Sequence, residues 1–221
     1  MAKAVIFDWD GTLADTRKAV VQSFQTVLTE AGCRVSDEFI ARRMGIGTKK
    51  TIIETFRECS MRLDVLTLEK LADEKVRIQA GLVDIVSLFD GATELLEALQ
   101  DKTKIALATM SSRKVVDKLL PAKRIAKYFA VVVSADEVVN PKPDPEVFLM
   151  AAKKLGVAPE DCVVVEDSVF GIRAAKAANM KCIAVPSGAY SKEELEHEQP
   201  DLMIDSLLEK EKILTFVFGS K

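Results

Sequence analysis

The stretch VIFDWDGTLADT, Val5 to Thr16, carries an apolar run into two aspartates one residue apart and then into Gly11-Thr12. Side chains alternate along an extended chain, so Asp8 and Asp10 share a face where the strand AVIFD runs out. Two carboxylates ~4 Å apart repel by about 4 kcal/mol at an effective dielectric of about 20, so both stay ionised only where a cation or hydrogen-bond donors offset the repulsion. An isolated Asp-Gly is ordinary turn chemistry. What the pair is for must be read from the rest of the chain.

Outward from this stretch, short apolar and β-branched runs recur with helical segments between them: KAVIFD, KIALAT (104–109), AVVVS (130–134), CVVVED (162–167), KCIAV (181–185) and DLMID (201–205). Near-continuous apolar strands alternating with helices predict an α/β fold, a doubly wound parallel sheet covered on both faces. Almost a hundred residues separate the first two runs without a convincing strand. Val20, Phe24, Val27, Leu28 and Ala31 form a helical stripe there, with Gly32 as its stop. The expected organisation is therefore a Rossmann-like core of residues 1–15 and 89–221 with an all-helical insertion at 16–88.

Ligands of open parallel sheets bind beyond the carboxyl ends of the strands. The first strand ends in Asp8 and Asp10, the second in Thr109, Ser111 and Ser112; the loop after the third carries Lys142, and the fourth ends in Glu166 and Asp167. Each has an ordinary use: Thr109 to Ser112 as helix caps, Lys142 as a solvated loop residue, Glu166 and Asp167 as charge at a helix N-terminus. Together they compose a charge-balanced site for Mg²⁺ and a phosphate.

Composition narrows the classes. The chain has 221 residues, 48% hydrophobic, with 31 Lys+Arg against 34 Asp+Glu and no strongly basic run, so nothing in it suggests a nucleic-acid surface. No apolar run approaches membrane-spanning length, and no signal-peptide core precedes Asp8, so a cytoplasmic protein is expected. Cys33, Cys59, Cys162 and Cys182 show no C-x-x-C spacing, and the last two sit inside apolar strand-like runs, so reduced, buried small hydrophobes are expected ahead of a disulfide or a zinc site. His197, the only histidine, lies in the polar run EELEHEQP, which excludes a histidine triad or a His-rich metal site.

Four motifs in order, DWDGTLADT, ALATMSS, NPKPDPEVF and VVVEDSVFGIRAAKAANM, resemble those of the haloacid dehalogenase superfamily in its branch with a helical cap after the first strand. The resemblance spans essentially the whole chain. It implies a nucleophile at Asp8 and a general acid and base at Asp10. It also implies phosphoryl binding by Thr109, Met110 and Lys142, and Mg²⁺ held by Asp8, Asp10 through its carbonyl, Asp167 and Glu166, the last directly or through water. The expected reaction is hydrolysis of a small phosphomonoester through an aspartyl-phosphate. A carboxylate attacks a phosphate dianion only if that charge is offset, as Mg²⁺ and Lys142 would do. Dehalogenases normally lack an aspartate at the second position, so Asp10 favours phosphoryl transfer.

Two other classes share these features. A β-phosphoglucomutase-like isomerase would use the same core, but its pattern has a cap histidine where this chain has Val20. A non-enzymatic phospho-accepting receiver also clusters carboxylates, Thr/Ser and Lys, but is shorter and has no insert. Phosphonate-cleaving relatives use a cap lysine as a Schiff base, and the cap here offers Lys49, Lys50, Lys70 and Lys75. Substrate choice is expected from the cap segment RRMGIGTKKT, with Arg43, Gly45 and Lys49 as candidates beside the reading of a solvated basic turn.

Overall fold

The computed structural model describes residues 1–219. In chain order the elements are β1 (Ala4–Phe7), β2 (Ala14–Asp15), α1 (Arg17–Glu30), α2 (Asp37–Ala41), α3 (Thr48–Glu58), α4 (Val65–Gln79), β3 (Ser87–Leu88) and α5 (Ala92–Leu99). There follow β4 (Lys104–Ala108), α6 (Arg113–Ala122), β5 (Val131–Val133), α7 (Glu146–Leu155), β6 (Cys162–Glu166), α8 (Val169–Ala177), β7 (Lys181–Ala184), α9 (Lys192–His197), β8 (Leu202–Met203) and α10 (Lys210–Phe218).

Six strands form one sheet in the order β5-β4-β1-β6-β7-β8, every neighbouring pair parallel. Each of the six apolar runs supplies one of them. Alternation sends Val5, Phe7 and Trp9 into one apolar layer with Leu95, Leu107 and Val165. It sends Ala4 and Ile6 into the opposite layer with Phe148, Val164 and Ile172. The register decides the site. Phe7 lies opposite Leu107 on one side and Val165 on the other, so the residues just beyond, Asp8, Thr109, Glu166 and Asp167, emerge together at the sheet's carboxyl edge.

Helices α1 to α4 pack on a third cluster that includes Val20, Phe24, Val27, Leu28, Ile40, Ile52 and Phe56, the stripe of α1 supplying its centre. Gly32, at φ +79°, turns the chain after α1, a conformation that costs glycine little. The insertion is not wholly helical. β3 lies within it and pairs antiparallel with β2, Ala14 opposite Leu88 and Asp15 opposite Ser87, so the outgoing and returning passages form a short ribbon. Two residues per strand give no readable alternation, which is why neither was expected.

The cysteines divide. Cys33, beyond α1, and Cys59, at the end of α3, form a disulfide, whereas Cys162 and Cys182 are free and buried. The reduced, unpaired reading therefore fails for the first two. Their meeting depends on how α1 and α3 pack, which a sequence separation of 26 residues does not reveal. No helix among the described residues is long and apolar enough to cross a membrane.

Candidate active site

At the end of β1 the Asp8 carboxylate accepts a hydrogen bond from Lys142 Nζ through Oδ1 at 2.6 Å. Lys142 comes from the loop before α7. Glu146, in the first turn of that helix, anchors the loop by accepting from the main-chain N–H groups of Val139 and Asn140 at 2.9 and 2.8 Å. Fully buried, Lys142 also donates to Glu166 Oε1 at 2.5 Å and lies 4.7 Å from the Phe148 ring centroid. Burial opposes its ammonium, but Asp8 and Glu166 outweigh burial and hold Lys142 above the ordinary lysine value.

Glu166 is engaged on both oxygens. Its Oε2 accepts from Asp167 N–H, Ser168 N–H and Ser168 Oγ at 2.9, 3.0 and 2.9 Å. Ser168 in turn accepts from Gly171 N–H as the N-cap of α8. A Cβ on Gly171 would fall 1.9 Å from Glu166 Oε1, so glycine is what lets the carboxylate rest on the first turn of α8. The helix-capping use expected of this segment and a role in holding Lys142 thus coexist.

Asp10 is dressed differently. Its Oδ1 accepts from Thr16 Oγ1 at 2.7 Å, and its Oδ2 accepts from Ser111 Oγ at 2.7 Å and Thr109 Oγ1 at 3.3 Å. These donors are neutral hydroxyls. Thr16 is the N-cap residue of α1 but makes no side-chain cap bond, and Ser112 likewise leaves α6 without one. The capping reading of the Thr109–Ser112 segment therefore does not describe it. Met110, the residue of this segment also expected at the phosphoryl site, is buried and borders the cavity above Asp10.

Asp167 accepts from Thr12 Oγ1 at 2.8 Å and is closed in by backbone. An added Cβ would lie 2.3 Å from its Oδ2 at Gly11 and 1.8 Å at Gly188. Thr12, Thr16, Gly171 and Gly188 were not anticipated as parts of the site. The motif match contained the first three, but nothing in their types announced which carboxylate each would hold.

Burial pushes the Asp8 carboxyl up to about 8; Lys142 pulls the other way, and Glu166 and Asp10 add to the rise. Burial, then the charges of Glu166 and Asp8, lift Asp167 well above the carboxylate range. Four buried carboxylates with one ammonium in contact make a site short of positive charge, and its hard oxygen donors suit a divalent cation such as Mg²⁺. Among the described residues no three His, Cys, Asp or Glu side chains form a ready metal cage. With Asp10 turned to hydroxyls and Glu166 to Lys142 and α8, the side chains that fit a metal are Asp8 and Asp167.

Over this edge lies the cap loop from Arg42 to Gly47. Its glycines at 45 and 47 have φ of +92° and +88°, and a Cβ added to them would meet Ser168 Oγ at 3.6 Å and Met110 Cε at 3.3 Å. Of the cap candidates, Gly45 faces the site, but the two cations are engaged elsewhere. Arg43 borders the cavity, yet its guanidinium donates to Glu54 at 2.8 Å and to Phe39 O at 3.0 Å. Exposed Lys49 pairs with Glu69 at 2.7 Å. The cap cation facing Asp10 is Lys75, on α4. It is buried, donates to Gln79 Oε1 at 2.6 Å and Thr48 Oγ1 at 3.4 Å, and sits 4.4 Å from the Phe24 ring centroid. Burial lowers it to about 8, with Asp10 opposing.

The family model for haloacid dehalogenase-like hydrolases matches residues 5–185. The chain belongs to that family. It is therefore an enzyme of hydrolase type, built on the sheet and strand-tip arrangement just described. It is 32% identical over 183 residues to a phosphorylated carbohydrates phosphatase of Thermotoga maritima, covering 82% of this chain and 83% of that protein. It is 36% identical over 194 residues to the chloroplastic protein SUPPRESSOR OF QUENCHING 1 of Arabidopsis thaliana, covering 82% of this chain but only 18% of that protein. The crystal structure of a β-phosphoglucomutase from Clostridium difficile superposes with a TM-score of 0.85 at 26% identity, covering 97% of this chain and all of the other.

Proposed function

We propose that this hydrolase removes phosphate from a small phosphorylated metabolite through an aspartyl-phosphate formed on Asp8. The observation that carries the reading is the unequal dressing of the two aspartates: Asp8 bonds an ammonium and Asp10 bonds hydroxyls. An Asp8 oxygen attacks phosphorus as the ester P–O bond breaks. Asp10, protonated, gives its proton to the departing alkoxide. Asp10, now a carboxylate, takes a proton from the water that attacks phosphorus, and Asp8 and inorganic phosphate are released. Thr109 and Lys142 hold the transferring group, and Glu166 positions Lys142. Mg²⁺, when bound by Asp8, the Asp10 carbonyl and Asp167, supplies positive charge against the phosphate dianion.

Residues 16–88 act as a cap that closes on the core about the β2–β3 ribbon and excludes water. The leaving group would enter between Asp10 and the cap, where Val20, Phe24, Met44 and Met110 give apolar walls and Lys75 one amine; the cavity there, about 20 Å³, has room for little more than a water until the cap opens. That lining suits a short sugar or acid whose hydroxyl or carboxylate meets Lys75, in keeping with the phosphorylated-carbohydrate phosphatase among the relatives. Hydrolysis is favoured over isomerisation because Val20, not a histidine, lines this cavity, while His197 belongs to α9. The cytoplasmic setting expected from the sequence is part of the proposal, and the Cys33–Cys59 bond is the feature that a strongly reducing compartment would oppose.

The test is a panel of small phosphomonoesters with and without Mg²⁺, assaying free phosphate. β-Glucose 1-phosphate with a trace of glucose 1,6-bisphosphate is assayed in parallel for glucose 6-phosphate. Mg²⁺-dependent phosphate release is the expected outcome. Glucose 6-phosphate forming well ahead of phosphate would replace the hydrolase reading with the isomerase, and silence across the panel would remove both.

A further inference from the structure

Between β7 and α9, residues 187–190 touch three different parts of the molecule. Ser187 Oγ donates to Gly11 O at 2.6 Å, in the loop that carries Asp10. Gly188 abuts Asp167 with no room for a Cβ. Tyr190, nearly buried, donates its hydroxyl to the main-chain carbonyl of Arg42 at 2.6 Å. Arg42 closes α2 and opens the cap loop whose glycines lie over Ser168 and Met110. Its guanidinium returns the contact, stacking 4.7 Å from the Tyr190 ring centroid and gripping Glu194 with two N–H groups at 2.6 and 3.3 Å. Glu194 is fixed in turn, because its Oε2 accepts from Ser191 N–H in the capping box of α9.

A hydroxyl-to-carbonyl bond, a two-pronged ion pair and a cation–π contact thus join one cap residue to one core segment at the mouth of the site. Nothing in the four motifs requires them. We infer that Arg42, Tyr190 and Glu194 form a latch that holds the cap loop closed and, through residues 187–190, fixes Asp167 in place. They are positioning residues, acting through the loop and through Asp167. An ion pair whose side chains are roughly two-fifths exposed opens readily, as a latch that releases product must.

The inference rests on the phosphatase reading for its kinetic consequences but not for its structural one, so two measurements separate them. Small-angle scattering reports closure whatever the substrate. Arg42→Glu and Glu194→Arg should each enlarge the radius of gyration, and the double exchange should restore it. With p-nitrophenyl phosphate, Tyr190→Phe should raise KM at saturating Mg²⁺, and the apparent Mg²⁺ constant measured by titration, about fivefold, the scale of one lost hydrogen bond. Its kcat should hold or rise because release is eased, and the charge exchange should recover KM. Unchanged scattering in both single variants, or a double variant no better than the worse single, overturns the latch. A lowered melting temperature with KM, kcat and Mg²⁺ constant all unmoved overturns it as well, leaving a structural contact only. No turnover by the wild type, with scattering behaving as stated, would count against the phosphatase reading alone.

Discussion

The sheet edge and the cap treat charge in opposite ways. At the edge, Lys142 is buried between two carboxylates, and four carboxylates face one close ammonium. In the cap, Lys75 is equally buried but meets only neutral oxygens from Gln79 and Thr48. The first arrangement is short of positive charge and suits a cation and a phosphoryl group. The second holds an amine without an acid, which a substrate group can supply. In the proposed mechanism, reaction and selection would therefore rest on different physical footings, joined at Asp10, whose charge acts on Lys75 across the cavity.

The hardest blow to the edge is Asp8→Asn. An amide cannot form the acyl phosphate, so turnover should fall by at least about a thousandfold. The fold should persist, because the amide is nearly isosteric and removes one of four crowded carboxylates. Single-turnover phosphate release measured beside thermal melting decides it; activity within tenfold of wild type would sink Asp8 as nucleophile. Gly188→Ala should come next. Its methyl would sit 1.8 Å from Asp167 Oδ2, so Asp167 must move. The Mg²⁺ concentration for half-activity should rise about ten- to hundredfold, the range for disturbed metal support, with substrate KM less affected. An unchanged Mg²⁺ titration would take Asp167 out of the metal's surroundings.

The edge was legible in the sequence because strand register enforces it. Once six apolar runs are parallel strands, the residues after Phe7, Leu107 and Val165 have to converge, and Asp8, Thr109, Glu166 and Asp167 follow. Lys142 was readable from its motif, although its burial between Asp8 and Glu166 was not. The cap resisted reading because its residues meet through helix packing, which local pattern does not fix. Arg43 lies in the loop nearest the site and Lys49 in the first turn of α3, yet Glu54 and Glu69 hold them. Lys75, more than two turns into α4, reaches the cavity. Cys33 and Cys59 meet for the same reason, and the β2–β3 ribbon was too short to leave a pattern.

Replacing Lys75 tests the cap's half of the contrast. Lys75→Met should raise KM by about tenfold for phosphates carrying a carboxylate or hydroxyl leaving group and leave aryl phosphates nearly untouched, as loss of one hydrogen bond to a charged group requires. The pH dependence has a definite sign. Lys75 loses its proton near pH 8 in the fold but at about 10.5 when unfolded, so between those values the unfolded chain binds more protons and stability rises with pH. Below pH 8 the destabilisation is complete, on the order of 3 kcal/mol, so Lys75→Met should melt higher at neutral pH. For a carboxylate-bearing substrate, KM should climb through about pH 8 in the wild type and stay flat in the variant. Equal KM changes for aryl and carboxylate-bearing phosphates would remove Lys75 from the substrate's surroundings.

The smallest effect should come from Lys49, the cap cation that proximity in sequence most recommends. Its ammonium is held by Glu69 at 2.7 Å, and both side chains are about half exposed. Pairs of this kind contribute roughly 0.2–1 kcal/mol and are screened by salt. Moving Lys49 into the cavity would break that pair and carry a flexible, well-hydrated chain into a pocket that already holds an amine. Two ammonium groups facing one leaving group would repel unless the substrate carried two negative charges there. Lys49→Gln should therefore shift KM by less than about twofold for every phosphomonoester in the panel and lower stability by no more than about 1 kcal/mol. A tenfold rise in KM confined to substrates with a distal phosphate or carboxylate would break the contrast. It would mean that the α3 end of the cap rearranges on binding and that Lys75 shares the substrate with Lys49.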